Sequence, residues 1–331
     1  MKGETSAKAF FEQIRGMRVL VLGDLMLDRY LRGEVRRISP EAPVPVLDLK
    51  KAENRLGGAG NVALNLKALG AEPLLHTVLG RDEEGERLLE LMAEQGLDSS
   101  GVLRSKARRS TVKIRLLSGG QHLLRVDKED RFLLSEEEED FAFRQIKERL
   151  ESDNISVILF QDYDKGYLSP SLIEKVLAEA AARGIPTAVD PKFRNFYAYR
   201  GATLFKPNLK EIRDRLPFAV EPEPDSLKKA AAYLRERLQF THLLVTLSEH
   251  GAFIDDGQSQ LLAPTRASEI VDVCGAGDAV ISTVTLALAA GLPASDLIRL
   301  ANMAGAQVCS QVGVVAVDAA QLQADFFINQ G

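Results

Sequence analysis

RVLVLGD, residues 18–24, is the stretch from which the rest of this chain can be read. Val19 to Leu22 form a short apolar run closed by Gly23 and Asp24. A run of that kind, with no polar alternation, predicts a parallel strand buried on both faces. Similar runs recur at EPLLHTVLG (72–80), SVILFQD (156–162), IPTAVD (185–190), ATLFKPN (202–208) and THLLVTLS (241–248). Helical periods lie between most of them. GNVALNLKALG (60–70) places Val62, Leu66 and Leu69 at helical spacing with Gly70 as its stop, and further helices are expected over 82–96, 169–183 and 224–238. Alternating strands and helices predict an α/β fold, an open and mostly parallel sheet covered on both faces. Such sheets bind ligands beyond the carboxyl ends of their strands, and Asp24, Asp162, Asp190 and Asn208 all fall at such ends.

Two segments break the alternation. Residues 29–50 carry prolines at 40, 43 and 45 and no helical period, and TVKIRLLSGGQHLLRVDK (111–128) has the pattern of a hairpin turning at Ser118-Gly119-Gly120. Together they predict a small β layer inside a single domain spanning 1–331, serving as a lid, a dimer surface or merely an edge sheet. SEEEED (135–140) is expected to open a helix, because acids suit a helix N-terminus.

Composition excludes several classes. The 331 residues, 45% hydrophobic, can bury a large core, and a formal net charge of −5 gives no basic footprint for nucleic acid. No apolar run reaches membrane-spanning length, and the first 24 residues lack a signal-peptide layout. Cys274 and Cys309 form no framework, so a reducing cytoplasmic location is expected; the four histidines show no ligand spacing.

Three glycine- or amide-rich stretches carry the chemistry. In DVCGAGDAVIS (272–282) a glycine turn precedes a helix expected over 276–290. The first N–H groups of a helix lack partners and carry its positive end, so Gly275, Ala276 and Gly277 form an anion cradle beside the carboxylate of Asp278. An anion cradle beside a carboxylate suits phosphoryl transfer to a hydroxyl, with Asp278 as base; a plain capped turn is the competing reading. In KPNLKE (206–211) Asn208 and Glu211 share a helical face and suit a hydrated Mg²⁺, or else form a capping box. GGAGNVALN (57–65) matches a dinucleotide pattern, but the preceding KKAENRL is too polar for the buried strand which that fingerprint needs. Asn61 and Asn65, one turn apart, instead suit a polyol. Cys274 stands at a helix start with no histidine near it in sequence, so a thiol nucleophile is disfavoured.

Taken together, these stretches resemble the ribokinase/PfkB-type sugar kinases over nearly the whole chain. GGAGNVALNLKALG is similar to that family's N-terminal signature and DVCGAGDAVIS to its C-terminal one, with Cys274 where the family usually has threonine. RRISPEAPVP and DYDKG resemble the heptose 7-phosphate kinase branch, which supplies precursors of the lipopolysaccharide core and is often fused to an adenylyltransferase. The resemblance implies a ribokinase-like three-layer sandwich using ATP and Mg²⁺, with a monovalent cation as a further possibility. It implies a cytoplasmic homodimer joined through the lid, and a separate adenylyltransferase acting afterwards. It assigns Asp24, Gly57, Gly58, Asn61, Asn65 and Asp162 to the sugar, and Asp278 with Gly275, Ala276 and Gly277 to the transfer. Asn208 and Glu211 go to the metal and phosphate, and Lys206, Thr246, Ser248, Gly251, Asp272 and Asn302 to the nucleotide. Arg115 and Lys192 are favoured for the sugar's own phosphate over Arg37, Lys113, Lys165 and Arg194. A kinase of another sugar, or a regulator that has lost catalysis, would share the same residues.

Overall fold

The computed structural model describes residues 9–265, 271–311 and 313–328. The expectations for the extreme N-terminus and for the ends of the 1–331 domain therefore fall partly outside the described residues.

Strand β1 (Arg18–Gly23) lies inside a nine-stranded sheet. On one side it pairs with β4 (Glu72–Gly80), which pairs in turn with β5 (Val102–Ser105). On its other side follow β8 (Ile155–Gln161), β9 (Thr187–Asp190), β10 (Leu204–Phe205) and β11 (His242–Thr246), all parallel. An antiparallel hairpin, β12 (Ala252–Asp255) and β13 (Gln260–Ala263), finishes that edge. β5, β12 and β13, four residues each, are not among the strands read from the sequence.

The apolar run of β1 is continuous because both of its faces are covered. Val19 and Val21 join a core packed by α1 (Ala59–Ala68), α2 (Glu83–Glu94), α7 (Ala276–Ala289), α8 (Ala294–Cys309) and α9 (Ala319–Ile328). Leu20 and Leu22 face the opposite core, packed by α3 (Glu136–Ser152), α4 (Pro170–Arg183) and α6 (Pro224–Leu238). Burying each such side chain contributes about 1.5–3 kcal/mol. Helix starts follow local chemistry: Ser135 caps α3 through a capping box with Glu138, and Ser169 caps α4 ahead of Pro170.

A second sheet has the order β3-β2-β6-β7. It is wider than the 29–50 and 111–128 segments. β2 (Leu25–Ile38) starts directly after Asp24, where the chain leaves β1, and β3 (Pro45–Gly58) returns as far as the glycines before α1. β6 (Thr111–Ser118) runs parallel to β2, and β7 (Gln121–Lys128) closes the hairpin through Gly119 and Gly120 at φ 57° and 83°. Gly58 and the helix after it are thus preceded by a strand, but by one of this second sheet. The dinucleotide-binding arrangement, which needs a central-sheet strand there, is absent.

The two faces of the second sheet differ. Asp28, Tyr30, Lys113 and Arg115 stand side by side on the face turned toward the central sheet's carboxyl ends. Leu31, Leu116, Leu124, Ile114, Val126 and Leu49 occupy the other, where Leu124 and Leu49 are more than half exposed.

Candidate active site

The glycine turn ahead of α7 opens onto a cavity of about 490 Å³. Gly275 caps the helix at φ 83°, a conformation glycine adopts without steric cost. A Cβ there would also stand 3.2 Å from Asn61 Nδ2. Ala276 N–H donates to Val273 O at 3.3 Å, which corrects its place in the cradle: that amide is already engaged. Among the described residues the N–H groups of Gly275 and Gly277 have no protein acceptor, and both residues line the cavity.

Asp278 also lines the cavity, only 6% exposed. Three donors from distant parts of the chain meet it. Asn61 Nδ2 donates to Oδ2 at 2.7 Å, while Tyr163 Oη and Gln161 Nε2 donate to Oδ1 at 2.8 and 3.1 Å. Burial pushes its carboxyl up to about 6, helped by Asp190 and opposed by Asn61, Tyr163 and Lys206.

The nucleotide candidates converge on the same cavity: Lys206, Asn208, Thr246, Ser248, Gly251 and Asn302 all line it. Lys206 Nζ sits 3.0 Å from Asp190 Oδ2. Asn302 Nδ2 donates to Ala263 O at 2.9 Å. Asp272 has another role: its carboxylate accepts Cys274 N–H at 2.9 Å and Gly313 N–H at 3.0 Å, tying the turn in place from outside the cavity lining.

Asn208 and Glu211 form a reciprocal capping box at the start of α5 (Leu209–Arg215): Asn208 Oδ1 accepts Glu211 N–H, and Glu211 Oε2 accepts Asn208 N–H, each at 2.8 Å. Glu211 Oε1 is held by Lys192. Among the described residues no group of three or more His, Cys, Asp or Glu converges as a metal cage. This donor set fits Mg²⁺ held by phosphate oxygens and water, with Asn208 and Glu211 reached through water.

Several sugar candidates are engaged otherwise. Asn65 is fully buried, donating to Asn61 O and accepting Val317 N–H. Asp162 is sealed by Asp164 N–H, Asn195 Nδ2 and Tyr199 Oη, and burial pushes it up to about 6. Asp24 accepts the N–H groups of Tyr163, Lys165 and Tyr167. Gly57 lets the Asp28 carboxylate approach, since a Cβ would lie 2.2 Å from its Oδ2, and Gly58, at φ 60°, abuts Asp24 O. Asn61 orients Asp278.

The cations also rearrange. Arg115 is paired with Asp28 over the Tyr30 ring, and Lys192 lines the cavity together with the glycine turn. Burial lowers the Lys192 ammonium, but Asp190 and Glu211 outweigh it and hold the group above its ordinary value. Lys165 pairs with Glu129 at 2.7 Å. Lys113 has no carboxylate within ion-pair distance among the described residues, and burial lowers its pKa. Sequence reading passed over Tyr163 and Gln161 as site residues, although both flank Asp162 at the end of β8 and Tyr163 stands within DYDKG.

The pfkB carbohydrate kinase profile matches residues 17–320. The chain belongs to the pfkB family of carbohydrate kinases. Relatives inside this family include the "Bifunctional protein HldE" of Methylobacillus flagellatus, 44% identical over 94% of this chain and 64% of that protein. The same-named protein of Geobacter sulfurreducens is 39% identical over 98% of this chain and 66% of its own length. The chain thus spans slightly less than two thirds of these pfkB relatives. Among solved structures, phosphofructokinase-2 from Escherichia coli in complex with potassium superposes with TM-score 0.76 at 21% identity, covering 95% of this chain and 98% of that one. Arabidopsis thaliana ribokinase, complexed with ribose and ATP, superposes at 0.71 with 17% identity, covering 93% and 99%. These pfkB-type folds share the three-layer α/β architecture described above.

Proposed function

We propose that this chain transfers the γ-phosphoryl group of ATP to the anomeric hydroxyl of D-glycero-β-D-manno-heptose 7-phosphate, yielding the 1,7-bisphosphate and ADP. The observation that carries this reading is Asp278: a buried carboxylate at a helix start, beside free backbone N–H groups, on an open cavity. With its carboxyl near 6, Asp278 is ionised at neutral pH and basic enough to accept the hydroxyl proton. The anomeric oxygen bonds to the γ-phosphorus as the bond to the β,γ-bridging oxygen breaks, and ADP departs with that electron pair. Gly275 and Gly277 N–H, with Lys192 and Lys206, face the charge that builds on the moving group. Mg²⁺, when bound with the nucleotide, neutralises phosphate charge.

The heptose assignment is supported by RRISPEAPVP and DYDKG and by the similarity to the HldE proteins. Lys113, unpaired and facing the site from β6, is the better candidate for the 7-phosphate than the ion-paired Arg115. The second sheet then serves as a lid. Its exposed apolar outer face, with Leu49, Leu124 and Val126, supports a homodimer joined lid to lid. Once a phosphatase has hydrolysed the 7-phosphate, the remaining 1-phosphate suits an adenylyltransferase in the cytoplasm, leading to the nucleotide-activated heptose of lipopolysaccharide.

A phosphate-transfer assay with heptose 7-phosphate, ribose, fructose 6-phosphate and adenosine tests this. Turnover concentrated on the heptose is expected. Strong transfer to another acceptor and none to the heptose would overturn the narrow assignment and leave a sugar kinase.

A further inference from the structure

Tyr163 sits where three parts of the site meet. Its hydroxyl donates to Asp278 Oδ1 at 2.8 Å. Its ring lies near two ammonium groups, with Lys113 Nζ from the second sheet 5.4 Å from the centroid and Lys192 Nζ from the glycine-turn side 5.5 Å away. Of residues 162–168, Tyr163 alone lines the cavity.

The backbone that carries it takes an unusual local shape. Asp164 adopts φ 57°, a left-handed conformation uncommon outside glycine. Gly166, at φ 89°, passes so close to Phe132 that a Cβ would stand 2.0 Å from its carbonyl oxygen. The surroundings impose this shape. The buried Asp24 carboxylate takes three N–H groups, from Tyr163, Lys165 and Tyr167, at 2.9, 3.1 and 3.2 Å. Asp162 Oδ1 takes Asp164 N–H at 2.8 Å, and Arg108 donates to Lys165 O and Phe132 O at 3.3 and 2.7 Å. Aspartate and glycine are the residue types that accept such a shape, and these hydrogen bonds fix it.

We infer that Tyr163 is a positioning residue for the phosphoryl transfer: aimed by the hydrogen-bonded 162–167 turn, its hydroxyl orients the Asp278 carboxylate and keeps it charged, while its ring bridges Lys113 of the second sheet and Lys192 beside the glycine turn. This rests on the reading of Asp278 as the base. A carboxylate offers about four acceptor positions. Asn61, Gln161 and Tyr163 fill three, leaving one for the hydroxyl proton of the sugar. Burial and Asp278 hold the phenol well above its ordinary value, so Tyr163 donates throughout the working pH range. The other charged groups facing Asp278 are Asp190, which disfavours its ionised form, and Lys206 and Lys192, which favour it.

The test is the pH profile of kcat/KM for the acceptor. Tyr163→Phe keeps the ring between the lysines and removes only the donor. Its acid limb should move to higher pH by about half a unit to one unit, a three- to tenfold loss on that limb, with nucleotide affinity by calorimetry unchanged. Site-specific 3-fluorotyrosine at 163, a stronger donor of nearly the same volume, should move the limb to lower pH. Tyr163→Leu should add a weakened nucleotide affinity, because Lys192 loses its ring. Limbs that stay in place in both the phenylalanine and fluorotyrosine proteins, or an activity loss uniform across pH, would overturn the inference. Asp278→Asn run alongside separates the two readings. An inactive Asp278→Asn with unmoved Tyr163 limbs sinks only this inference, whereas an active Asp278→Asn sinks the base itself.

Discussion

As the proposed base, Asp278 has to be buried and charged at once, and those demands conflict. Its native carboxyl titrates near 6, against 3.8 in an unperturbed chain. Between those values the folded state holds a proton that the unfolded state has already released. The group therefore lowers stability as pH rises from about 4 to about 6, and the full cost persists above that. A neutral amide in its place carries no such burden, so the stability of Asp278→Asn relative to the native protein should improve from pH 4 to pH 8 by about 2–3 kcal/mol in urea melts. A difference independent of pH would show that the carboxyl is not shifted. The same substitution should reduce turnover by about 10² to 10⁴ at saturating substrates. Cys274 poses a smaller question. Burial, followed by Asp272, pushes its thiol up to about 11, so it is no thiolate nucleophile. The role proposed for Asp278 rests on a local pattern of glycines and an acid that the sequence already displays. Its partners were not legible there, because Asn61 and Tyr163 stand 217 and 115 residues away.

At the scale of elements, the N-terminus of α7 is sensitive to a single change. Gly275 is left-handed, and a methyl group there meets Asn61 Nδ2 at 3.2 Å. Gly275→Ala should destabilise by about 1–2 kcal/mol from backbone strain. It should also displace Asn61 from Asp278, so that kcat falls more than the melting temperature alone implies; steady-state kinetics beside calorimetry separates the two effects. α5 shows how one local motif can serve two readings. The capping box of Asn208 and Glu211 was visible in the sequence as an alternative to a metal-phosphate role, and it is formed, yet Asn208 still lines the cavity. Glu211 holds Lys192 as well, a contact that spacing could not reveal.

At the scale of the molecule, two layers of helices cover a sheet whose central strand has no exposed face. Leu22→Ala on β1 should cost about 2–5 kcal/mol, read from the denaturation midpoint, because the surrounding core can close only part of the cavity. The second sheet behaves differently, with one face charged and turned to the site and the other apolar and open. If two copies meet through that outer face, Leu124→Asp should yield monomers in sedimentation velocity while leaving the fold intact by circular dichroism. An unchanged sedimentation coefficient would rule the face out as the dimer contact.

The sequence by itself marked most of the segments that became strands and helices, because apolar periodicity and end caps act over a few residues. It also determined that a glycine turn with an adjoining acid stands at the head of a helix. Only the tertiary structure decided that Asp24 anchors a turn, that Asn65 is core, that Arg115 is paired with Asp28, and that Tyr163 reaches Asp278. Those outcomes depend on which strand ends lie side by side. Side chains more than a hundred residues apart choose their partners by proximity in space, which no local spacing encodes.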